Sequence, residues 1–261
     1  MSGQDVLRSV HIEKDLEHPE RLGHYHPTTK SVAVLRRVFP PAGSAATLVI
    51  AAYGSGKSLA AGVGLMASAN TAEQKKVLRG IATRLKGVDD DLARSLRARI
   101  RARGHGHALV LSGYVEDLPQ TIARQAGHNR RPRSLAQALQ WLEAHVRESG
   151  ADRVAVVWDE FGRHLEALVS EGRASEVVHV QEFAEWAVRV EGCSASLTLL
   201  LHQSLLSYAS RLTQSARTTW KKVEGRFETL RFVEDSREVY GLIADVVASK
   251  RKQAPPAPSG G

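Results

Sequence analysis

The chain has 261 residues, of which 43% are hydrophobic, 25% charged and 5% aromatic. Those proportions suit a soluble protein whose buried core is aliphatic and alanine-rich, because aromatics are scarce. The single Cys193 excludes an intramolecular disulfide framework and any cysteine-built metal site. A formal charge of +8 favours polyanionic partners by general attraction and says nothing about fold.

The opening stretch "MSGQDVLRSVHIEKDLEHPERL" is polar and lacks the apolar core of a signal peptide. No apolar run approaches the ~18–20 residues that span a bilayer, so no membrane contact and a cytoplasmic address are expected. Residues 1–40 read as an N-terminal extension, in which "TTKSVAVLRRVF" forms a short amphipathic helix ending before Pro40-Pro41. Leu48 to Tyr53 reads as a buried strand, continuous in apolar residues and followed by glycine. Lys57 to about Ser68 is helical, and further helical pattern covers Ala72 to Leu85 and Asp89 to Arg103. The second strand is expected at His107 to Tyr114. Residues 115–149 then read as helix, loop and helix, with Pro132 in the break and Ser134 as N-cap. "RVAVVW" (153–158) is the third strand, helical sequence including "ASEVVHVQEFAEWAVRV" follows, and "SLTLLL" (196–201) is the fourth. A helical stretch leads to a fifth strand, Phe227 to Val233. A last helix from about Ser236 ends in "APPAPSGG", so residues 41–250 form the expected domain and 251–261 a disordered tail. Short apolar strands alternating with helices indicate an α/β layer fold with a mainly parallel sheet.

The junction of the first strand and its helix, "LVIAAYGSGKSLA", is where chemistry concentrates. A phosphate site needs backbone N–H groups converging on oxygens, a helix N-terminus aimed at them, and a cation. Glycines permit the close approach, and the helix supplies unsatisfied N–H groups and a dipole. Tyr53, Gly54, Ser55, Gly56, Lys57, Ser58 and Leu59 are the expected cradle. Lys57 would reach the β- and γ-phosphates of ATP, and the Ser58 hydroxyl would ligate Mg²⁺. Ala51 stands where the usual pattern has its first glycine.

"VAVVWDEFGRHLE" supplies the carboxylates that such a site requires. An acid at the C-terminal end of a parallel strand lies where ligands gather in open α/β sheets. Asp159 is assigned to the Mg²⁺ shell, and Glu160 to orienting and deprotonating the attacking water. At the end of the fourth strand, "LLLHQS" offers a polar contact for the γ-phosphate: Gln203 first, His202 second.

At "GSGKS", "VVWDEFG" and "VEGRFETLRFVED" the chain resembles the AAA+ ATPases. The resemblance implies a P-loop NTPase sandwich with sheet order 5-1-4-3-2, and makes Arg226 the candidate arginine finger reaching a neighbouring subunit's nucleotide. Val223 stands where many members carry a second arginine. More narrowly, "PERLGHYHPTTKSVAVLRRV", "AAYGSGKS", "DEFGRHLE" and the stretch from "LLLHQSLLSYAS" to "VEGRFE" are similar to the large ATPases of bacterial anti-phage defence islands, including the bacteriophage-exclusion type. In that comparison Tyr25 and His26 pack near the adenine; read locally, the same residues form a capping turn before the first helix. The sequence after the fifth strand does not read as the helical lid of AAA+ modules, as in an N-terminal piece of a longer ATPase or a split gene. The chain is then expected to bind ATP–Mg²⁺, to hydrolyse it slowly, and to work within a larger assembly.

The arginines cluster in "RSLRARIRARG" and "NRRPR". On a helix, Leu92, Leu96 and Ile100 form an apolar stripe that leaves the arginines around the other sides. They form either a solvated face or a patch for DNA, RNA or an acidic subunit. The pairs His24/His26 and His105/His107 lack cysteine or carboxylate partners at a zinc spacing and read as surface histidines.

Overall fold

Five stretches form the strands β1 (Ala46–Ile50), β2 (Gly106–Ser112), β3 (Arg153–Asp159), β4 (Ser194–Leu201) and β5 (Glu228–Arg231). They pair entirely in parallel, in the order β2-β3-β4-β1-β5. The helices are α1 (Ile12–Glu17), α2 (Pro19–Leu22), α3 (Thr29–Val38), α4 (Lys57–Ala69), α5 (Ala72–Arg84) and α6 (Asp90–Arg101), then α7 (Leu118–Gln125), α8 (Leu135–Glu148), α9 (Phe161–Ser170), α10 (Val177–Arg189), α11 (Leu205–Tyr208) and α12 (Gln214–Glu224). This computed structural model describes residues 10–39 and 45–232. Val10–Arg231 belong to one compact unit, and Phe232 opens a second. The last helix, the tail and Pro40-Pro41 of the sequence reading lie outside the described residues.

Side chains alternate across the sheet, and the two faces bury different helices. Leu48, Ile50, Val154, Val156, Trp158, Leu197, Leu199 and Leu201 join the core beneath α7–α12. The intervening Val49, Ala155, Val157, Thr198 and Leu200 are also buried and fall on the opposite face, where α3 and α4 pack on the sheet. Strands covered on both sides read as continuous apolar runs, which is why they are visible in the sequence. The arrangement is an α/β three-layer sandwich.

Helix α4 is buried nearly all round, and its alanines and glycines let neighbours approach closely. A Cβ built on Gly64 would lie 2.5 Å from Val38 Cβ on α3. Gly64→Ala is therefore expected to destabilise. Overpacking costs about 1–3 kcal/mol and exceeds the gain of about 1 kcal/mol in helix propensity. Thermal unfolding should show Tm lower by about 5 °C; a Tm equal to or above wild type would contradict the packing argument.

Boundaries differ from the sequence reading where the chain turns. The first strand ends at Ile50 rather than Tyr53, because the backbone leaves the ladder after the Ala51 N–H bonds the Leu201 carbonyl at 3.1 Å. The second ends at Ser112 rather than Tyr114, and the chain turns at Gly113. The fourth begins two residues earlier, at Ser194. Ser134 caps α8 as expected, its hydroxyl accepting from the Gln137 N–H.

Candidate functional site

The loop between β1 and α4 opens at Ala51, which is 2% exposed. Among the described residues only Asn70 and Glu160 are non-glycines with positive φ, so Ala51 carries its methyl in an ordinary backbone conformation. The two positions that require glycine are Gly54 and Gly56, at φ 76° and 77°. A Cβ on either would meet nothing within 4 Å, so the loop stands over open space.

Gly56 is the N-cap of α4 and offers no side-chain cap. No backbone N–H from Gly54 to Leu59 donates to another group among the described residues. Six unpartnered donors thus lie at and just before a helix N-terminus, where anions are bound. The Ser55 hydroxyl is buried and also without a partner.

Lys57 is 5% exposed. Its ammonium donates to the Ala52 carbonyl at 3.2 Å and to His202 Nδ1 at 3.2 Å. The Tyr53 ring stacks on His202 with centroids 3.3 Å apart, and Lys57 Nζ lies 5.5 Å from the Tyr53 centroid. Burial pushes the Lys57 ammonium below its ordinary range, while Asp159 and Glu160 oppose the shift. His202 is pushed down by burial and then by the Lys57 charge, so a neutral imidazole faces the ammonium.

Strand parity brings Asp159 to this loop. Val154, Val156 and Trp158 face the α7–α12 core, so Ala155, Val157 and Asp159 face α4. The Ser58 hydroxyl donates to Asp159 Oδ1 at 3.1 Å, and the Glu160 N–H donates to the same oxygen at 2.9 Å. Asp159 is 8% exposed, and burial raises its carboxyl above the usual range despite those two bonds and Lys57. A divalent cation beside Ser58 and Asp159 would supply the missing positive charge. Two oxygen ligands in an open position suit Mg²⁺, which keeps waters and takes phosphate oxygens rather than an all-protein cage.

Glu160 sits at φ 50°, a conformation that costs about 1–3 kcal/mol in a non-glycine residue and concentrates at functional sites. Its carboxylate pairs with Arg163 at 3.0 Å. The strained turn is held from beneath, where Trp158 donates to the Gly113 carbonyl at 3.0 Å and packs on Phe161 and His164.

His164 is 4% exposed and its imidazole is pushed down to about 4, by burial first and by Arg173 second. The unfolded chain takes up this proton near pH 6.5, so the His164 contribution is complete above about pH 6.5 and is lost as pH falls towards 4. Between about pH 7 and about pH 5, the urea midpoint of wild type should fall by the equivalent of about 2 kcal/mol more than that of His164→Gln. Equal pH dependence in the two proteins would refute the assignment.

The remaining expected residues are placed as follows. Gln203 is exposed and its side chain bonds the Tyr208 hydroxyl; the strand-end residue that touches Lys57 is His202. Arg226 is exposed and pairs with Glu185 at 3.5 Å. It precedes β5, whose first residue Glu228 pairs with Thr47, at the sheet end opposite the loop. Tyr25 is 1% exposed, with its hydroxyl 3.0 Å from Ser31 Oγ and pushed up to about 12 by burial, so its ring is not presented to a ligand. Thr28 caps α3 in a capping box with Ser31, which is the capping-turn reading of "HYHPT". His24, His26 and His105 are exposed, and His107 Nε2 lies 2.8 Å from Ser149 Oγ. Arg163 has no role in the sequence reading; it stands on the first turn of α9, three residues after the N-cap Glu160 that it pairs with.

Among the described residues, no cluster of three or more His, Cys, Asp or Glu is placed to hold a metal, and no helix is long and apolar enough to cross a membrane. Compared with protein-family models, curated proteins and solved structures, the chain matches none.

Proposed function

We propose that the chain is an ATP-binding and ATP-hydrolysing P-loop module of AAA+ type, cytoplasmic, and part of a larger bacterial anti-phage defence or nucleic-acid-associated assembly. One observation carries the enzymatic reading: the free N–H groups of Gly54–Leu59, the Lys57 ammonium and the Ser58–Asp159 pair lie together at one end of a parallel sheet.

In this reading the N–H groups and Lys57 hold the β- and γ-phosphates, and Lys57 exchanges its Ala52 and His202 contacts for phosphate oxygens. Ser58 and Asp159 would hold Mg²⁺, which when bound would draw charge from the phosphate oxygens. Glu160 takes a proton from water as the water oxygen bonds to the γ-phosphorus; the bridging P–O bond to the β-phosphate breaks, and ADP and inorganic phosphate leave. Glu160 must leave Arg163 to do so. His202, with Gln203 beside it, meets the γ-phosphate. Arg226 lies too far along the sheet to serve its own loop and would complete the site of a neighbouring copy, so self-association belongs to the proposal.

Binding of ATP with Mg²⁺ by wild type and Lys57→Ala tests the reading, and equal affinity overturns it. A second reading, an ATP-dependent nucleic-acid-binding switch with little turnover, is favoured by the Glu160–Arg163 pair, which occupies the carboxylate needed as base.

A further inference from the structure

Helices α5 and α6 pack side by side and enclose a groove of about 300 Å³ lined by Arg79, Ala82, Thr83, Arg97, Ile100 and Arg101. The groove lies in acid-free sequence: no Asp or Glu occurs from Gln74 to Val88 or from Leu92 to Val115. Several cations of these helices have internal duties. Arg99 is buried and paired with Asp152 at 2.5 Å, Arg84 donates to the Tyr25 and Gly23 carbonyls, and Arg94 pairs with Asp91.

The groove arginines have none of comparable strength. Arg97 makes one 3.3 Å bond to the Ala82 carbonyl. Arg79 and Arg101 are exposed and make no ion pair among the described residues. Three guanidinium forks around one cleft, without a carboxylate to balance them, offer an anion charge and planar hydrogen-bond donors.

The kind of anion follows from what surrounds them. Ala82 and Ile100 are the apolar walls and both are buried, so the groove lacks the aromatic or large apolar anchor that centres a protein interface. A single strand binds by stacking bases on aromatic rings, and no aromatic lines this groove. What remains is a repeating phosphate array. Helix α6, of 12 residues, is about 18 Å long. One strand of a duplex presents a phosphate for every ~3.4 Å of axis, so Arg97 and Arg101, one helical turn or about 6 Å apart, can take separate phosphates.

We propose that the α5–α6 groove binds the phosphate backbone of double-stranded nucleic acid, without reading its sequence, through Arg79, Arg97 and Arg101. This surface is independent of the nucleotide loop and stands whether or not the chain hydrolyses ATP.

The test is fluorescence anisotropy with labelled mixed-sequence duplex DNA of about 30 base pairs, titrated between about 50 mM and about 200 mM salt. Arg79→Gln/Arg101→Gln is compared with Lys221→Gln/Lys222→Gln on α12, which removes the same charge from exposed positions elsewhere. The groove variant should lower the slope of log K against log salt by about 2 and weaken binding about tenfold at about 200 mM salt. The α12 variant should leave the slope unchanged, and melting curves should show both variants folded. Four results overturn the proposal: no wild-type binding at about 50 mM salt, equal losses in the two variants, tighter binding of the single strand than of the duplex, or competition by poly-glutamate as effective as competition by unlabelled duplex.

Discussion

Lys57→Ala should reduce the affinity for ATP–Mg²⁺ by about 30-fold or more. The ammonium is buried, with its charge answered by the Ala52 carbonyl, His202 Nδ1 and the nearby acids. Truncating one partner of a buried charged contact costs about 2–5 kcal/mol, and each 1.4 kcal/mol is about tenfold in affinity. The substitution also leaves Asp159 facing phosphate oxygens without the lysine charge that now partly offsets its burial. The fold should survive: alanine suits the first turn of a helix, and α4 is anchored further along by Ala60, Val63 and Met66, all buried. Calorimetric titration with ATP and Mg²⁺, alongside a melting curve, separates the outcomes. A folded variant that binds as tightly as wild type removes the phosphate loop from the account. A variant that fails to fold is replaced by Lys57→Met, which keeps the side chain's apolar length and should lose the same affinity.

The contributions of sequence and structure can be traced to particular residues. Strands β1, β3 and β4 were readable because both faces are covered, leaving unbroken runs such as "VAVVW". Their ends were less so, because where a strand stops depends on its neighbours' register: Tyr53 has no ladder partner once the chain turns at Ala52. Gly54 and Gly56 at positive φ, and Lys57 and Ser58 at the head of α4, were legible because a glycine-rich strand-to-helix turn is a local pattern. Asp159 was legible as a strand-end acid, and parity places it on the α4 face. The same parity identifies the strand-four residue at the loop. Leu197, Leu199 and Leu201 face the α7–α12 core with Tyr208; Gln203 continues that series and meets Tyr208, whereas His202 continues the series of Leu200 and meets Lys57. Helices α1 and α2 were not legible, because six-residue and four-residue helices give too few turns for a period. Burial of Ile12 and Leu22 holds them, with the Leu22 side chain 3.2 Å from where a Cβ on Gly62 would stand.

Glu160→Gln should lower ATP hydrolysis by about 10²–10⁴-fold, the usual contribution of a positioned general base, while ATP–Mg²⁺ affinity stays close to wild type. The substitution preserves size, and the residue-160 N–H that bonds Asp159 Oδ1 at 2.9 Å is a backbone group it retains. What disappears is the proton acceptor, together with the ion pair to Arg163. Single-turnover phosphate release measures the effect without interference from product dissociation. The two functional readings separate here. A hydrolytic module loses its chemical step and holds ATP; a switch with little turnover shows the same slow release before and after the change. Wild-type turnover should itself be slow in dilute protein and rise with concentration. Arg226 is at the opposite sheet end from its own loop, and an arginine supplied by a neighbour is worth about 10³–10⁵ in rate. Dilute wild type turning over at about 10 s⁻¹, an ordinary enzyme rate, would show that one copy holds every group it needs and would remove Arg226 from the mechanism. A rate that climbs with concentration and collapses in Arg226→Ala, with ATP binding intact, would place the missing charge in the neighbouring subunit.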